Sequence, residues 1–593
     1  IEMLSQHLIT KPVFDALFEG YQFTKQNPVS VAMQMMLDLL EGQALAKETQ
    51  ALEGFYDSVR ERAKGIDNAA GKQRIIVELY DKFFRTAFPR MAEQLGIVYT
   101  PVEVVDFIIR SADDALRQEF GVGLSNHDVH VLDPFTGTGT FMVRLLQSGL
   151  IRPEDLPHKY RHELHANEIV LLAYYIAAIN IEETYHGLAG GEYQPFEGIV
   201  LTDTFQMTEG KGTLHETMFP ENNQRAVRQN KSDIRVIIGN PPYSAQQGSQ
   251  NDNNQNIDYP SLDGRIRNTY ADKSSAANKK NLYDSYIRSF RWASDRIKDK
   301  GIICYISNGS FIDGNNMDGL RKCLMDEFTA IYVFNLRGNQ RTSGDLSRRE
   351  GGKIFGSGSR ASIAVTLLVK NPDRKGKCQL FYHDIGDYLN REDKLKIITD
   401  FASFKNISWG KITPNASHDW INQRDPAFDN FIPLGDNNEK GDKAIFSSYS
   451  LGLGSNRDAW VYNFSRASLS ANMRRMTDAY NREVERYKLA CKGKSKDEWP
   501  KVEDFVDTDP KRISWSSSLL PNVARGRTAN FSAASIVVGV YRPYSKQYLY
   551  FDGMMNHRVG KFPKIFPDES FKNLVISVSG IGASKDFSAL IAD

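Results

Sequence analysis

The apolar positions of this chain fall into three successive patterns. Up to about residue 95 they recur at helical spacing, as in Leu52, Phe55, Tyr56, Val59 and Ala63, and again in Ile76, Leu79, Tyr80, Phe83 and Phe84. Stripes of that period are faces that helices bury against a core or a partner helix, and they predict a helical region over 1–95. Between about 96 and 372 the texture changes to short apolar runs at 130–132, 164–166, 198–201, 234–238, 301–306, 330–336 and 363–370, separated by helical patterns. Several runs are rich in β-branched residues and almost free of polar alternation, as strands are when helices cover both faces of a sheet. Strands alternating with helices predict an α/β domain on a doubly wound parallel sheet. Ligands of such sheets sit beyond the carboxyl ends of the strands, near the point where the strand order reverses. From about 373 to 593 the pattern is mixed. One strong helix is expected near 469–492, with Met473, Met476, Tyr480, Val484 and Tyr487 as its stripe, and aromatic-rich, strand-like segments follow at 537–541 and 547–551. This predicts a separate α+β domain.

Two long stretches break the rhythm of the middle region. Residues 244–280 are rich in Asn, Gln, Ser and Lys, and residues 337–360 are rich in Gly and Ser and carry Arg337, Arg341, Arg348, Arg349, Lys353 and Arg360 against only Asp345 and Glu350. Both read as loops, and loops this long inside a compact domain tend to be functional or disordered.

Composition narrows the classes. A length of 593 residues allows several domains, each with its own core, and 41% hydrophobic with 25% charged residues fits a globular chain and excludes collagen-like and wholly disordered ones. Lys+Arg 74 against Asp+Glu 73 gives a net charge of +1, so any nucleic-acid site has to be a local basic face. No apolar run approaches the roughly 18–20 residues of a membrane span, so no membrane partner is expected. Cys304, Cys323, Cys378 and Cys491 lie far apart without a C-x-x-C pair, which argues against a zinc ribbon or redox site and for a reducing cytoplasm. His158, His162 and His165 lack the i, i+4 spacing of the helical zinc motif and are expected at the surface or a strand edge; no metal is expected.

The chemistry concentrates at the strand ends of the middle region. Val131-Leu132-Asp133-Pro134-Phe135-Thr136-Gly137-Thr138-Gly139-Thr140 takes a buried strand to an acid and then through a glycine-rich turn into a helix. Glycines let backbone approach a ligand, and a helix start offers free N–H groups. Asn167-Glu168 ends the next strand, where doubly wound folds hydrogen-bond ribose hydroxyls. Asp203-Thr204-Phe205 ends the third, offering an acceptor for an exocyclic amine and a ring to pack on adenine. A single strand-end acid is commonly a helix cap; three at consecutive strand ends strain that explanation. The fourth run ends in Gly239-Asn240-Pro241-Pro242-Tyr243. The prolines fix φ and exclude helix at once. Held rigidly, the Asn240 side-chain oxygen and the Pro241 carbonyl can both accept hydrogens from a planar amino group, which favours pyramidalisation and exposes the nitrogen lone pair to an electrophile. Tyr243 adds a flat face for stacking a base.

At these residues the chain resembles the gamma-class amino-group DNA methyltransferases, whose fold is the Rossmann-like class I methyltransferase sheet. The resemblance implies S-adenosylmethionine as cofactor, with Asp133, Pro134, Phe135, Thr136, Gly137, Gly139, Glu168, Asp203, Thr204 and Phe205 around it, and Tyr99, Thr100 and Pro101 at its methionine part. It makes Asn240, Pro241, Pro242 and Tyr243 the catalytic motif, and Asn at its first position favours adenine N6 as target. Phe355 resembles the family's second aromatic wall for a flipped base, beside the bland alternative of strand-entry core packing. The likeness narrows at Asn281-Leu282-Tyr283-Asp284-Ser285-Tyr286-Ile287-Arg288, at residues 335–344 and at 356–361, which resemble the single-chain type ISP restriction–modification enzymes. That implies a coupler-like helical region at 1–95, a methyltransferase domain at 96–372 and a target-recognition domain at 373–593, in a bacterial cytoplasmic enzyme. No G-x-x-x-x-G-K-[ST] loop occurs, so the family's nuclease and helicase-like ATPase domains are expected upstream in a longer chain.

Double-stranded DNA is the expected partner. Arg337, Arg341, Arg348, Arg349 and Arg360 are candidate phosphate contacts, and Arg525, Arg527, Arg542 and Lys546, interleaved with Tyr541, Tyr544, Tyr548 and Tyr550, suit backbone and base-edge contacts. Two rivals remain at this stage: methylation of RNA or of a protein glutamine amide, since N-P-P-Y can also grip an amide, and a non-catalytic DNA-recognition module of a larger machine.

Overall fold

The computed structural model describes residues 3–11 and 23–40 (except 5 and 9), 100–209, 218–242, 259–435 (except 277, 343 and 356–359), 444–541 (except 447) and 545–592 (except 569 and 580–587). The helical stripes expected between 52 and 84 therefore lie outside the described residues, as do Tyr99, Tyr243, Arg542 and Tyr544. The chain divides into two units, one carrying the described residues up to Arg424 and the other those from Asp425 onward.

All seven apolar runs are strands of one sheet: β1 (His130–Asp133), β2 (Leu164–Glu168), β3 (Ile199–Leu201), β4 (Ile234–Gly239), β5 (Gly301–Asn308), β6 (Ala330–Arg337) and β7 (Ile363–Lys370). Two further strands, β8 (Gln379–Asp384) and β9 (Gly410–Ile412), complete the order β3-β2-β1-β4-β5-β7-β6-β8-β9. The first five are mutually parallel and the order reverses between β1 and β4. Helices cover the sheet, among them Val102–Phe120, Leu171–Ala189 and Ser285–Arg296. The central strands β2 and β5 are buried at every position, which explains their lack of polar alternation.

Three expectations need correction. The sheet is not wholly parallel: β7 enters between β5 and β6 antiparallel to both, and an antiparallel neighbour needs no crossover helix to carry the chain back. The sheet also does not end at Lys370. β8 pairs parallel with β6 and β9 antiparallel with β8, so the unit runs past the boundary expected at 372 to Arg424. Finally, the segment expected as a loop over 244–280 contains the helix Pro260–Ile266 and a further helical turn, Arg267–Ala271. Leu262, Ile266 and Tyr270 are buried at i, i+4, i+8, a stripe hidden among polar neighbours.

Near the N-terminus, Pro28–Leu40 is helical, and Val29, Ala32 and Met33 join the same core as the sheet. Asn27 donates to the Tyr174 hydroxyl at 3.2 Å and His7 pairs with the Tyr175 hydroxyl at 2.9 Å, fixing these residues to the helix Leu171–Ala189.

The second unit has its own core, built on the helix Arg466–Cys491, with Met473, Met476, Tyr480, Val484 and Tyr487 buried as the stripe predicts. β10 (Tyr462–Asn463), β11 (Ile536–Val540) and β12 (Lys546–Tyr550) form an antiparallel sheet, and β13 (Val575–Val578) pairs with β14 (Ala589–Ala592). Arg457 is buried at its centre, donating to the carbonyls of Ser514 and Met555 and to the Ser516 hydroxyl. Burial pushes its guanidinium down to about 10. Its role is to tie three segments of this unit together. Among the described residues no helix is long and apolar enough to cross a membrane.

Candidate active site

The parallel half of the sheet brings the strand-end residues to one edge. Asp133 closes β1, Glu168 closes β2, Asp203 lies two residues past β3 and Asn240 immediately past β4. Because β1 and β4 are neighbours across the reversal of strand order, the acid and the asparagine flank the crevice where doubly wound sheets take their ligands.

Asp133 is fully buried; Oδ1 accepts the Phe135 N–H at 3.1 Å, while Oδ2 is buried without a hydrogen-bond partner. Burial, with Glu168 nearby, pushes its carboxyl up to about 8. The glycine turn is held from the neighbouring strand: Thr136 N–H donates to the Asn167 carbonyl at 3.0 Å and Gly137 N–H to Glu168 Oε2 at 2.8 Å. Glu168 Oε1 accepts Val170 N–H at 2.8 Å, and burial pushes this carboxyl up to about 7. Gly139 takes φ +88° at the start of the helix Thr140–Gln147, and a Cβ there would meet the Ala177 backbone at 3.1 Å, so the glycine sets helix-on-helix packing. A Cβ at Gly137 would instead meet open space, leaving backbone accessible there. Gly239 is small for another reason: a Cβ would stand 2.9 Å from Asp133 Oδ1, so the glycine lets β4 pass beside that acid.

At the third strand end, Asp203 Oδ1 accepts Phe205 N–H at 2.9 Å and Oδ2 accepts the Tyr259 hydroxyl at 2.9 Å. Burial lifts its carboxyl above the ordinary value, against those hydrogen bonds. Thr204 donates to the Pro134 carbonyl at 2.6 Å, tying the first turn to the third. Phe135 and Phe205 meet edge to face at 5.6 Å, and Phe205 meets Tyr259 likewise at 5.2 Å.

Asn240 is half-buried, with Pro241 buried beside it. Its Nδ2 donates to Thr100 Oγ1 at 3.0 Å across a separation of 140 residues, which turns the amide so that its oxygen is the acceptor end. Thr100, expected at a cofactor, thus orients the asparagine, and Pro101 leads directly into the helix Val102–Phe120. Thr100→Val should keep the fold and lower turnover several-fold, in line with the roughly 1 kcal/mol of one hydrogen bond, with ligand affinity unchanged in the same preparation.

The raised Asp133 carboxyl has a measurable consequence. Its proton is held more tightly in the folded chain than in the unfolded one, so the stability it lends is complete below the ordinary carboxylate range and is lost as pH rises through about 8. Denaturant unfolding between pH 5 and 8 should show the ligand-free chain losing stability with rising pH, by at most about 1.4 kcal/mol per unit for one proton. Asp133→Asn should flatten that slope.

Other expected site residues are placed differently. Phe355 is 2% exposed within the hydrophobic core, so in this structure its ring does the packing work of a strand-entry aromatic and presents no stacking face. Arg337 is committed to Asp384 at 2.6 Å and to Asp387, which occupies the guanidinium otherwise expected on phosphate. Arg348 and Arg349 share Asp345 on the exposed helix Gly344–Glu350, and Arg360 donates to the Gln340 carbonyl. Arg341, Arg525, Arg527 and Lys546 are exposed. His165, expected at a surface or strand edge, is buried within β2 and stacks on His130 at 5.2 Å, and burial pushes its imidazole down to about 3.

The sequence matches three families along its length: the Type ISP restriction-modification enzyme coupler domain over residues 1–71, the Eco57I restriction-modification methylase over 167–341 and the Type ISP C-terminal specificity domain over 444–593. The chain belongs to the type ISP restriction–modification family and carries its coupler, methylase and specificity modules. Among solved structures it is similar over its whole length to a nuclease-deletion mutant of the type ISP enzyme LlaGI in complex with a DNA substrate mimic (50% identity, TM-score 0.90) and to the ATP-dependent type ISP enzyme LlaBIII bound to DNA (45% identity, TM-score 0.90). The DrdV–DNA complex matches with 35% identity and TM-score 0.88, again over all of this chain. The chain spans 47%, 38% and 57% of those three chains respectively. No curated protein matches it at a significant level.

Proposed function

We propose that this chain is the modification and recognition portion of a type ISP enzyme, transferring a methyl group from S-adenosylmethionine to adenine N6 of a base flipped out of duplex DNA. The observation that carries the reading is the juxtaposition at the reversal of strand order: Asp133 at the end of β1 and Asn240 at the end of β4, on the strand edge that also bears Glu168 and Asp203.

The residues fit the cofactor. Its sulfonium and ammonium are positive, and the first turn holds a buried, unpartnered carboxyl oxygen of Asp133, protonated in the ligand-free chain at neutral pH, whose charged form a nearby cation would favour. Glu168 accepts backbone N–H groups of Gly137, Val170 and Ile169, and its remaining acceptor capacity suits ribose hydroxyls. Asp203 and Phe205 suit an adenine amine and ring, and the open space at Gly137 allows close approach of backbone. When bound, the cofactor supplies an activated methyl group.

The chain's own residues do the rest. The Asn240 oxygen and Pro241 carbonyl accept the two N6 hydrogens of the target adenine, hold the nitrogen at the methyl carbon and bias its lone pair toward it. Thr100 keeps the Asn240 amide in that orientation. Flipping the base costs a few kcal/mol, offset by stacking on Tyr243. Asp384 and Asp387 hold Arg337 in place, so contacts to DNA phosphates fall first to the exposed Arg341, Arg348, Arg349 and Arg360, with Arg525, Arg527, Arg542 and Lys546 serving recognition. DNA is favoured over RNA or protein as substrate because the second unit matches a specificity domain and the similar LlaGI and LlaBIII structures hold DNA or its mimic. Incubation with S-adenosylmethionine labelled in the methyl group and equal amounts of random-sequence duplex DNA, RNA and protein tests the reading. Label in the DNA alone supports it, and label in RNA or protein contradicts it. The nuclease and ATPase activities are assigned to modules upstream of the coupler in the longer chain.

A further inference from the structure

The hydroxyl of Tyr259 donates to Asp203 Oδ2 at 2.9 Å, yet neither the strand pattern nor the catalytic motif has a use for this tyrosine. Several contacts hold it there. Its ring is 8% exposed, meets Phe205 edge to face at 5.2 Å, and carries the Arg288 guanidinium 5.2 Å from its centroid. Arg288 is itself fixed by a two-pronged bond to Asp263, at 2.8 Å to each oxygen. One turn away, both oxygens of Glu209 accept the N–H groups of Ser261 and Leu262, at 2.8 and 3.0 Å. The segment 259–263 is thus clamped to the turn that follows β3 at two points, and only one of them, Tyr259, reaches an acid of the strand-end edge.

We infer that Tyr259 is a positioning residue for cofactor recognition: its hydroxyl fixes the Asp203 carboxylate in the orientation that accepts the exocyclic amino group of the cofactor's adenine. The inference rests on the cofactor reading above and adds to it the group that selects adenine. Without the tyrosine hydroxyl, Asp203 keeps its backbone bond from Phe205 through Oδ1, but Oδ2 loses its side-chain tether and the carboxylate gains rotational freedom. A ligand with a 6-amino group loses by that; a ligand without one does not. A general loosening of the pocket would weaken both.

The test is equilibrium binding of S-adenosylhomocysteine and of its counterpart with unsubstituted purine, which lacks the 6-amino group. The proteins compared are the native chain, Tyr259→Phe, Asp203→Asn and the double variant. Tyr259→Phe should weaken S-adenosylhomocysteine by roughly tenfold, the scale of one hydrogen bond to a charged group, and leave the 6-unsubstituted compound unchanged. The double variant should bind S-adenosylhomocysteine no more weakly than Asp203→Asn, because the tyrosine acts through the acid. Equal weakening of both compounds, no weakening of either, or losses that add in the double variant would overturn the inference while leaving the cofactor reading intact. A native chain that binds neither compound overturns both.

Discussion

Asn240→Ala is expected to lower methyl transfer by about 10²–10³-fold, the scale for removing one preorganised hydrogen-bonding group from the reacting centre, while S-adenosylhomocysteine binds as it does to the native chain. The split follows from where the asparagine stands. It lies past β4, across the crevice from the glycine turn of β1, and the bond from its Nδ2 to Thr100 fixes which end of the amide is the acceptor. The acids assigned to the cofactor lie at or just past the ends of β1, β2 and β3, and they accept from backbone N–H groups of the β1, β2 and β3 turns or from the Tyr259 hydroxyl. Removing the amide therefore takes away the grip on the amino nitrogen and leaves the cofactor pocket as it was. Single-turnover transfer and calorimetric binding on the same preparation separate the two. Asn240→Asp retains an acceptor oxygen but loses the donor to Thr100, and should fall between the native chain and the alanine variant.

Asp419→Ala should cost the sheet unit about 3–5 kcal/mol, the range for breaking a buried ion pair from one side. Arg321, on the helix Asp318–Glu327, is 0% exposed; its Nη2 lies 3.0 Å from Asp419 Oδ1, and its other nitrogens donate to the carbonyls of Phe311, Gly314 and His418. Burial draws the Asp419 carboxyl upward, but hydrogen bonds from Arg424 and Asn415 outweigh it and hold it at about 2. Removing the acid leaves a guanidinium in the core with carbonyls but without its ion-pair partner, and only the more distant Asp318 and Asp313 to offset its charge. Replacing both members by apolar residues of similar volume should restore much of the loss. Urea unfolding of the three chains decides this, and a single alanine variant within about 0.5 kcal/mol of native, the range of an ordinary surface change, would refute it.

The strand-end site was legible because its members follow short, largely apolar runs that end in a polar residue. Val131-Leu132 leads to Asp133, the buried 164–166 leads to Glu168, and Ile237-Ile238 leads to Asn240; a run of that kind fixes both the strand and the end at which its chemistry appears. What stayed hidden depended on pairings that no local pattern records. β8 has only Leu380 fully buried among half-buried neighbours, so its apolar signal is too weak to announce that the sheet continues beyond β7. The antiparallel entry of β7 is a matter of partner choice, since Ile363–Lys370 reads the same in either direction. Thr100 meets Asn240 over 140 residues and Arg321 meets Asp419 over 98, distances at which spacing carries no information. Tyr259 sits in a tract whose polar composition concealed the stripe of Leu262, Ile266 and Tyr270. Phe355 carries two readings in the sequence, stacking wall or strand-entry core, and only its burial at 2% exposure places the ring in the core of this structure.

The most direct check of the strand-end account is the identity of the product nucleoside. Duplex DNA incubated with the native chain and trideuteromethyl S-adenosylmethionine, then digested to nucleosides for mass spectrometry, should carry the label on N6 of deoxyadenosine and nowhere else, and should carry none when Asn240→Ala replaces the native chain. Label on cytosine, or label on adenine that persists undiminished in the alanine variant, would contradict the claim that Asn240 holds an adenine amino group against the activated methyl.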